Sequence, residues 1–228
     1  MYISEIFYSL QGEGMLAGTP SVFIRTSGCN LRCLWCDTPY ASWKPEGTEM
    51  KLGGILAEAR RNWGARHVVV TGGEPMIQDD IVLLTQRLKE DDFHITVETA
   101  GTVFQPVVCD LMSISPKLSN STPKRREGGR WAAEHDRLRI QPEVLRRLMA
   151  DYAYQLKFVV GQPEDVDEIL AFLKEFDADR SRVTLMARAT TAEELLERNC
   201  WLADVCKYHY FRLSPRLQVD LWGNQRGM

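Results

Sequence analysis

Apolar and polar positions along this chain follow two rhythms that take turns. Short runs of four to seven residues rich in apolar and β-branched side chains, the pattern of buried strands, fall at 21–26, 67–70, 94–98, 110–115, 154–160 and 182–186. Between them, apolar residues recur three and four apart at 52–63, 79–90, 142–149, 163–176 and 192–206, which predicts helices. A last extended segment is expected at 208–213. Strands separated by helices predict an α/β fold with a parallel sheet and right-handed crossovers. A closed eight-fold barrel usually needs about 250 residues. With a polar loop at 28–38 and a tail at 214–228 set aside, room remains for about six strands. The expectation is one domain over residues 1–228, a partial, open (β/α)6-type TIM barrel.

Composition narrows the function classes. At 228 residues and 44 % hydrophobic content, the chain can bury a sizeable core. A formal charge of −3 argues against a dedicated nucleic-acid binder, whose domains are usually basic. No apolar run approaches a membrane span, and the first residues lack the basic and apolar regions of a signal peptide. The stretch Lys124-Arg125-Arg126 with Arg130 lies in a long polar segment diluted by Glu127 and Glu134, and reads as a solvated, mobile crossover loop. The four histidines, His67, His94, His135 and His209, are scattered and read as structural.

In a parallel α/β fold the chemistry collects where strands end, and polar sets follow four of the expected strands here. After the first come Cys29, Cys33 and Cys36, a C-x3-C-x2-C triplet. Three thiolates can ligate three irons of a [4Fe–4S] cube and leave the fourth open for a ligand, where a ferredoxin supplies four cysteines. A structural zinc knuckle lacks its fourth ligand, because no nearby His or Cys completes a tetrahedron. After the second strand comes Thr71-Gly72-Gly73-Glu74-Pro75, whose glycines permit close backbone approach to a ligand, or simply make a turn. Glu98-Thr99-Ala100-Gly101 and Ser115-Pro116-Lys117 end the third and fourth. Cys109, Cys200 and Cys206 show no paired framework; Cys200 and Cys206 read as small buried apolar residues, and free thiols suit a reducing cytoplasm.

The triplet, with aromatic Trp35 before its third cysteine, resembles the signature of the radical S-adenosylmethionine (AdoMet) enzymes. That resemblance implies a [4Fe–4S] cluster on Cys29, Cys33 and Cys36, with AdoMet chelated at the open iron and cleaved to a 5′-deoxyadenosyl radical that takes hydrogen from substrate. It implies AdoMet contacts from Trp35, Asp37, Gly72, Gly73 and Glu74; Ser115 and Lys117 are suited to donate to the AdoMet carboxylate, with Pro116 fixing the turn between them.

A narrower resemblance covers nearly the whole chain. Phe7-Tyr8-Ser9-Leu10-Gln11-Gly12-Glu13-Gly14, Phe23-Ile24-Arg25-Thr26, Cys36-Asp37-Thr38 and the closing Leu221-Trp222-Gly223 are similar to the 7-carboxy-7-deazaguanine synthase family. The resemblance implies conversion of 6-carboxy-5,6,7,8-tetrahydropterin to 7-carboxy-7-deazaguanine with loss of ammonia. Substrate would meet Leu10, Gln11, Gly12, Glu13, Arg25, Thr71 and Glu98. Carboxylate and amide acceptors suit the N–H edge of a pterin, and Arg25 suits its carboxylate. The same resemblance implies Mg²⁺ at Thr38, a flavodoxin-type electron donor, and a homodimer. Without it, Thr38 and Asp37 read as helix caps or turn residues.

Two segments depart from the family pattern. Many relatives carry P-Q-x-H where this chain has Pro215-Arg216-Leu217-Gln218, and Leu-Gln-Pro where it has Leu185-Met186-Ala187-Arg188. Contacts from Met186, Ala187, Arg188 and Gln218 are therefore the weakest-supported of the set. Two other function classes compete: a glycyl-radical-enzyme activase, which needs an open face for a protein loop, and an electron-transfer module, which needs a fourth ligand.

Overall fold

A computed structural model describes residues 1–61, 64–223 and 225–228. Nine strands form one sheet: β1 (Tyr2–Leu10), β2 (Pro20–Thr26), β3 (Thr48–Glu49), β4 (His67–Gly72), β5 (His94–Thr99), β6 (Leu111–Ile114), β7 (Tyr154–Val160), β8 (Val183–Ala187) and β9 (Arg212–Ser214). Their order is β3-β1-β2-β4-β5-β6-β7-β8-β9. From β2 to β9 every neighbouring pair is parallel, while β1 runs antiparallel to both β2 and β3. β3 and β9 are the sheet's two ends, so the barrel is open.

The helices are α1 (Pro39–Ser42), α2 (Leu52–Arg60), α3 (Ile81–Glu90), α4 (Ala132–Leu138), α5 (Pro142–Asp151), α6 (Asp165–Phe176), α7 (Ala192–His209) and α8 (Leu217–Trp222). The helix expected at 52–63 ends at Arg60, and two of its expected positions, 62 and 63, lie outside the described residues. α7 runs to His209, past its expected end at 206, and stops at Tyr210 in the left-handed conformation; the extended segment begins at Arg212 rather than 208.

Three corrections concern the site. β1 was not expected: its alternation is broken by a register shift between Ile3 and Glu5, and several of its residues face a polar interior. The basic crossover is not a free loop. It carries α4, and Ser121, Thr122 and His135 are buried under it. Cys206 is buried as expected, but Cys200 is exposed.

Side chains alternate across the pleat, and the two faces of the sheet differ. Val22, Ile24, Val68, Val70, Ile95 and Val97 face outward into the main apolar core, as do Met112, Ile114, Leu156, Phe158, Val183 and Leu185 farther along. α2, α3, α5, α6 and α7 add Ile55, Leu84, Leu145, Ile169 and Leu202 to that layer. The intervening positions point inward and are mostly polar. At the bottom, Ser21 and Thr96 both hydrogen-bond the ring of His67, at 2.5 and 2.9 Å. At mid-height Gln155 donates to Ser113 at 2.8 Å. At the top, Arg25 lies in register with Thr71, and Glu98 with Ser113.

Candidate active site

The top of the inner face opens into a cavity of about 310 Å³. The cluster loop walls one side with Cys29, Cys33 and Cys36. Strand ends supply the floor, and the segment 10–13 after β1 closes the opposite side with Leu10, Gln11, Gly12 and Glu13. Gln218 and residues 225–228 overhang it from the tail.

The cluster loop is held from several directions. The Leu34 N–H donates to the Ser121 carbonyl at 2.7 Å, and the Trp35 indole donates to Asn120. The Arg32 N–H donates to Nδ1 of His135 at 3.1 Å, so the ring proton sits on Nε2 and reaches Ser121 Oγ at 2.9 Å. Burial lowers the His135 pKa to about 4, which keeps that acceptor available. His135 is structural, as the sequence implied, but it fixes the loop that carries the cysteines.

Those cysteines fit a cluster better than a single ion. Among the described residues, no three His, Cys, Asp or Glu side chains converge closely enough to hold a single metal ion. Leu31 donates its N–H to Cys29 Sγ at 3.3 Å, the kind of contact that tunes cluster sulfurs. Leu31 and Ala100 pack around the thiols. Burial pushes the Cys29 and Cys33 thiols up, Cys33 to about 12, so in the protein alone both stay protonated at neutral pH.

The glycines of 71–75 have a steric duty. Gly72 has φ +150°, and a side chain there would strike the Thr26 backbone. A Cβ on Gly73 would lie 2.2 Å from the Gly28 carbonyl oxygen. The Gly73 and Glu74 N–H groups donate to Thr26 and Gly28 carbonyls, binding β4's end to the root of the cluster loop. Glu74 itself does not face the cavity. Its buried carboxylate accepts from Thr99 Oγ1, Ala100 N and Met76 N. Ser115 and Lys117 do line the cavity, with Lys117 Nζ 2.7 Å from Ser115 Oγ, whereas Pro116 does not.

On the opposite side a network of charges joins the residues expected at the substrate. Thr71 donates to Glu98 at 2.8 Å, and Gln11 donates to the other oxygen of Glu98 at 3.2 Å. Glu13 receives Lys157 at 2.6 Å, Arg216 at 3.1 Å and Gln218 at 2.7 Å. Lys157 also stands 3.6 Å from Glu98. Burial would raise the Glu13 pKa, but Lys157 and Arg216 outweigh it and hold the carboxyl far below its usual range. Burial works against the Lys157 ammonium in turn, and Glu13 and Glu98 overcome it.

Arg25 reaches the cavity from β2, its Nε donating to Glu5 at 2.7 Å and its guanidinium beside the Phe7 ring, which stacks on Phe23. Tyr40 and Arg226 also donate to Glu5. Thr38 lines the cavity at the start of α1, yet its hydroxyl makes no capping bond and lies 3.7 Å from Cys36 Sγ. Asp37 is not a cap; it pairs with Arg216 at 2.5 Å. Of the three residues after Leu185, Met186 lines the cavity and Arg188 a neighbouring hollow beside Trp35 and Asp37, while Ala187 turns into the apolar core.

Sequence reasoning missed Lys157, Arg216 and Glu5. A lysine in the middle of the run Tyr154–Val160 was the available signal, since a buried parallel strand does not carry one without a partner.

Comparison with known proteins identifies the family. The Radical SAM superfamily pattern matches residues 23–117. The 7-carboxy-7-deazaguanine synthase of Halobacterium salinarum is 48 % identical over 97 % of this chain and 90 % of its own length. That of Rhodopirellula baltica is 43 % identical over 100 % of this chain and 88 % of its own. The crystal structure of QueE from Escherichia coli superposes with a TM-score of 0.68 at 29 % identity, covering 93 % of this chain and 92 % of that one. Streptococcus suis SuiB bound to its precursor peptide shares the fold alone, at TM-score 0.55 and 17 % identity. The full-length relatives carry the synthase name rather than that of an activase, and the chain belongs to the 7-carboxy-7-deazaguanine synthase family of radical SAM enzymes.

Proposed function

We propose that this chain converts 6-carboxy-5,6,7,8-tetrahydropterin to 7-carboxy-7-deazaguanine with loss of ammonia, in the biosynthesis of queuosine-type 7-deazapurines. The observation that supports it most is the meeting, in one cavity, of the three cysteines with Gln11, Glu13, Arg25, Thr71 and Glu98.

Cys29, Cys33 and Cys36 hold the [4Fe–4S] cluster in this reading, and AdoMet lies against it. Given one electron from an external donor, the two together would supply a 5′-deoxyadenosyl radical able to take a hydrogen atom from substrate. The residues of the chain bind and orient. The N–H groups of Gly73 and Glu74 are already spent on carbonyls, so the turn offers acceptors, which suit the AdoMet ammonium. Lys117 and Ser115 suit its carboxylate, and Trp35, Asp37, Met186 and Arg188 line its adenosine side.

Across the cavity, Arg25 keeps its terminal N–H groups for the pterin carboxylate, because Glu5 occupies Nε. Gln11 and Glu98 present acceptor oxygens to the pterin's N–H edge. The Thr38 hydroxyl, uncommitted to capping, is placed to ligate Mg²⁺, which takes oxygen ligands and keeps a place for substrate oxygens. Phe7 and Phe23 wall the site with apolar rings and exclude water.

Three further inferences accompany this reading: a flavodoxin-type electron donor, a homodimer that covers exposed sheet edges, and a cytoplasmic setting. Among the described residues, no helix is long and apolar enough to cross a membrane.

Anaerobic turnover of the iron–sulfur-reconstituted protein with AdoMet, reductant, Mg²⁺ and the carboxytetrahydropterin tests the proposal. Product mass read by chromatography should match 7-carboxy-7-deazaguanine. AdoMet cleavage without that product would move the substrate elsewhere, and no cleavage despite a formed cluster would end the enzyme reading.

A further inference from the structure

Arg216 stands at the start of the tail, where the family motif has a different residue, and only 5 % of it is exposed. Its guanidinium makes three contacts with three separate parts of the site. Nε donates to Glu13 at 3.1 Å, Nη2 to Asp37 at 2.5 Å, and Nη1 to the backbone carbonyl of Ala189. Glu13 belongs to the wall proposed for the pterin. Asp37 follows the last cluster cysteine, and Ala189 follows the strand end that lines the hollow on the adenosine side. A planar fork with donors at fixed angles sets these three partners relative to one another in a way a flexible ammonium cannot.

Neighbouring bonds make the arrangement a frame. Gln218, two residues on, donates to the same Glu13 oxygen at 2.7 Å, and the Leu217 N–H donates to the Gly12 carbonyl at 3.1 Å. The tail is thereby seated on segment 10–13, while Arg216 reaches past that segment to the cluster loop. Lys157 also pairs with Glu13, but it reaches toward Glu98 rather than Asp37, so it ties the pterin wall to itself and not to the AdoMet side.

Resting on the reading above, we propose that Arg216 is a positioning residue that sets the AdoMet-side wall against the pterin-side wall, so that binding of either ligand favours binding of the other. Each ligand pulls on one arm of the same guanidinium. Ordering Asp37 for AdoMet orders Glu13 for the pterin, and thermodynamic reciprocity makes the effect equal in both directions. Misregistration of the two ligands leaves AdoMet cleavage intact but wastes the radical, because the hydrogen to be taken is no longer in reach.

The test uses reconstituted, cluster-loaded protein and reads binding as well as turnover. AdoMet affinity is measured by equilibrium dialysis with and without saturating carboxytetrahydropterin, in the parent protein and in Arg216→Lys, Arg216→Gln and Asp37→Asn. The parent should bind AdoMet about 10-fold more tightly with the pterin present, within the usual range for coupled sites. Arg216→Gln and Asp37→Asn should bring that factor close to one, and the ratio of 5′-deoxyadenosine to deazaguanine product should rise at least about threefold. Arg216→Lys should fall between. Asp37→Asn guards against misfolding, since Asp37 is partly exposed and its loss strands no buried carboxylate. Parent-like coupling and product ratio in a folded Arg216→Gln or Asp37→Asn would overturn the proposal. So would variants that melt at the parent temperature and lose both ligands equally with coupling unchanged. A parent protein that binds AdoMet but makes no deazaguanine would instead overturn the functional reading, because that outcome does not depend on Arg216.

Discussion

The two faces of the sheet are built from the same strands by opposite rules. Lys157 and Phe158 are consecutive on β7, and the pleat sends one to each side. Phe158 is fully buried among apolar residues and meets Phe172 edge-on at 5.3 Å. Lys157 is almost as buried, yet it lies between Glu13 and Glu98. The outer face gains stability from area removed from water. On the inner face, by contrast, ions are tolerated because each has a partner, an arrangement that is weak evidence for stability and strong evidence for a use.

Removing the inner face's metal-binding chemistry should have the largest effect. Cys33→Ala should abolish AdoMet cleavage and the iron–sulfur absorption while the far-ultraviolet dichroism stays that of the folded sheet. Next comes Lys157→Met, which takes the cation from Glu98 and leaves Glu13 with Arg216 alone, and should cost about 3–5 kcal/mol of stability. In the surviving protein kcat/KM should fall roughly 100-fold or more. Adding Glu13→Gln should restore much of the stability and none of the activity; recovery of both would mean the ion pair is structural only.

Phe158→Ala, one residue away, inverts the pattern. It should cost about 3–5 kcal/mol in denaturant unfolding, with kcat/KM of the folded fraction within about twofold of the parent. A large loss of turnover at equal occupancy of the folded state would erase the distinction between the faces.

How far this division was legible beforehand depends on the face. The outer face announces itself as short runs rich in apolar residues, so six of the seven parallel strands were placed within a few residues, and the seventh was anticipated as an extended segment. The motifs at strand ends, Cys29–Cys36 and Gly72-Gly73 among them, were legible because their spacing is local. Segment β1 was not, because its inward residues Glu5 and Phe7 answer to Arg25 and Phe23 on another strand, and its register slips near Ile3. Lys157 and Arg216 were missed for a related reason: their partners lie far away in the chain, and no periodicity reports a partner. Helix α4 was hidden by a polar surface; it docks through the buried His135, through Leu138 packed on the cysteine loop, and through Asp136, which accepts from Thr122.

The smallest expected effect is a pH dependence set by two buried histidines, His67 on the inner face of the sheet and His135 against the cluster loop. Burial holds His67 and His135 neutral, each with its pKa lowered from 6.5 to about 4. The unfolded chain takes up these protons first as pH falls, so stability is full above about pH 6.5 and declines toward pH 4. Melting temperatures across that range should fall for the parent, and less steeply for His135→Gln. An identical slope would show that His135 does not carry the effect.

The bond between Glu13 and Arg216 spans 203 positions of sequence, and that between Glu13 and Lys157 spans 144. During synthesis Glu13 therefore emerges long before either counter-ion exists, and it must stay in water until β7 has been made. Closing so long a loop is entropically only modestly dearer than closing a short one, but it cannot start early. The sheet can thus form and cover its outer face while the pocket is still wet. The residues that overhang the cavity, Gln218 and 225–228, are also the last to be made, so its mouth closes after the strands that carry its floor exist.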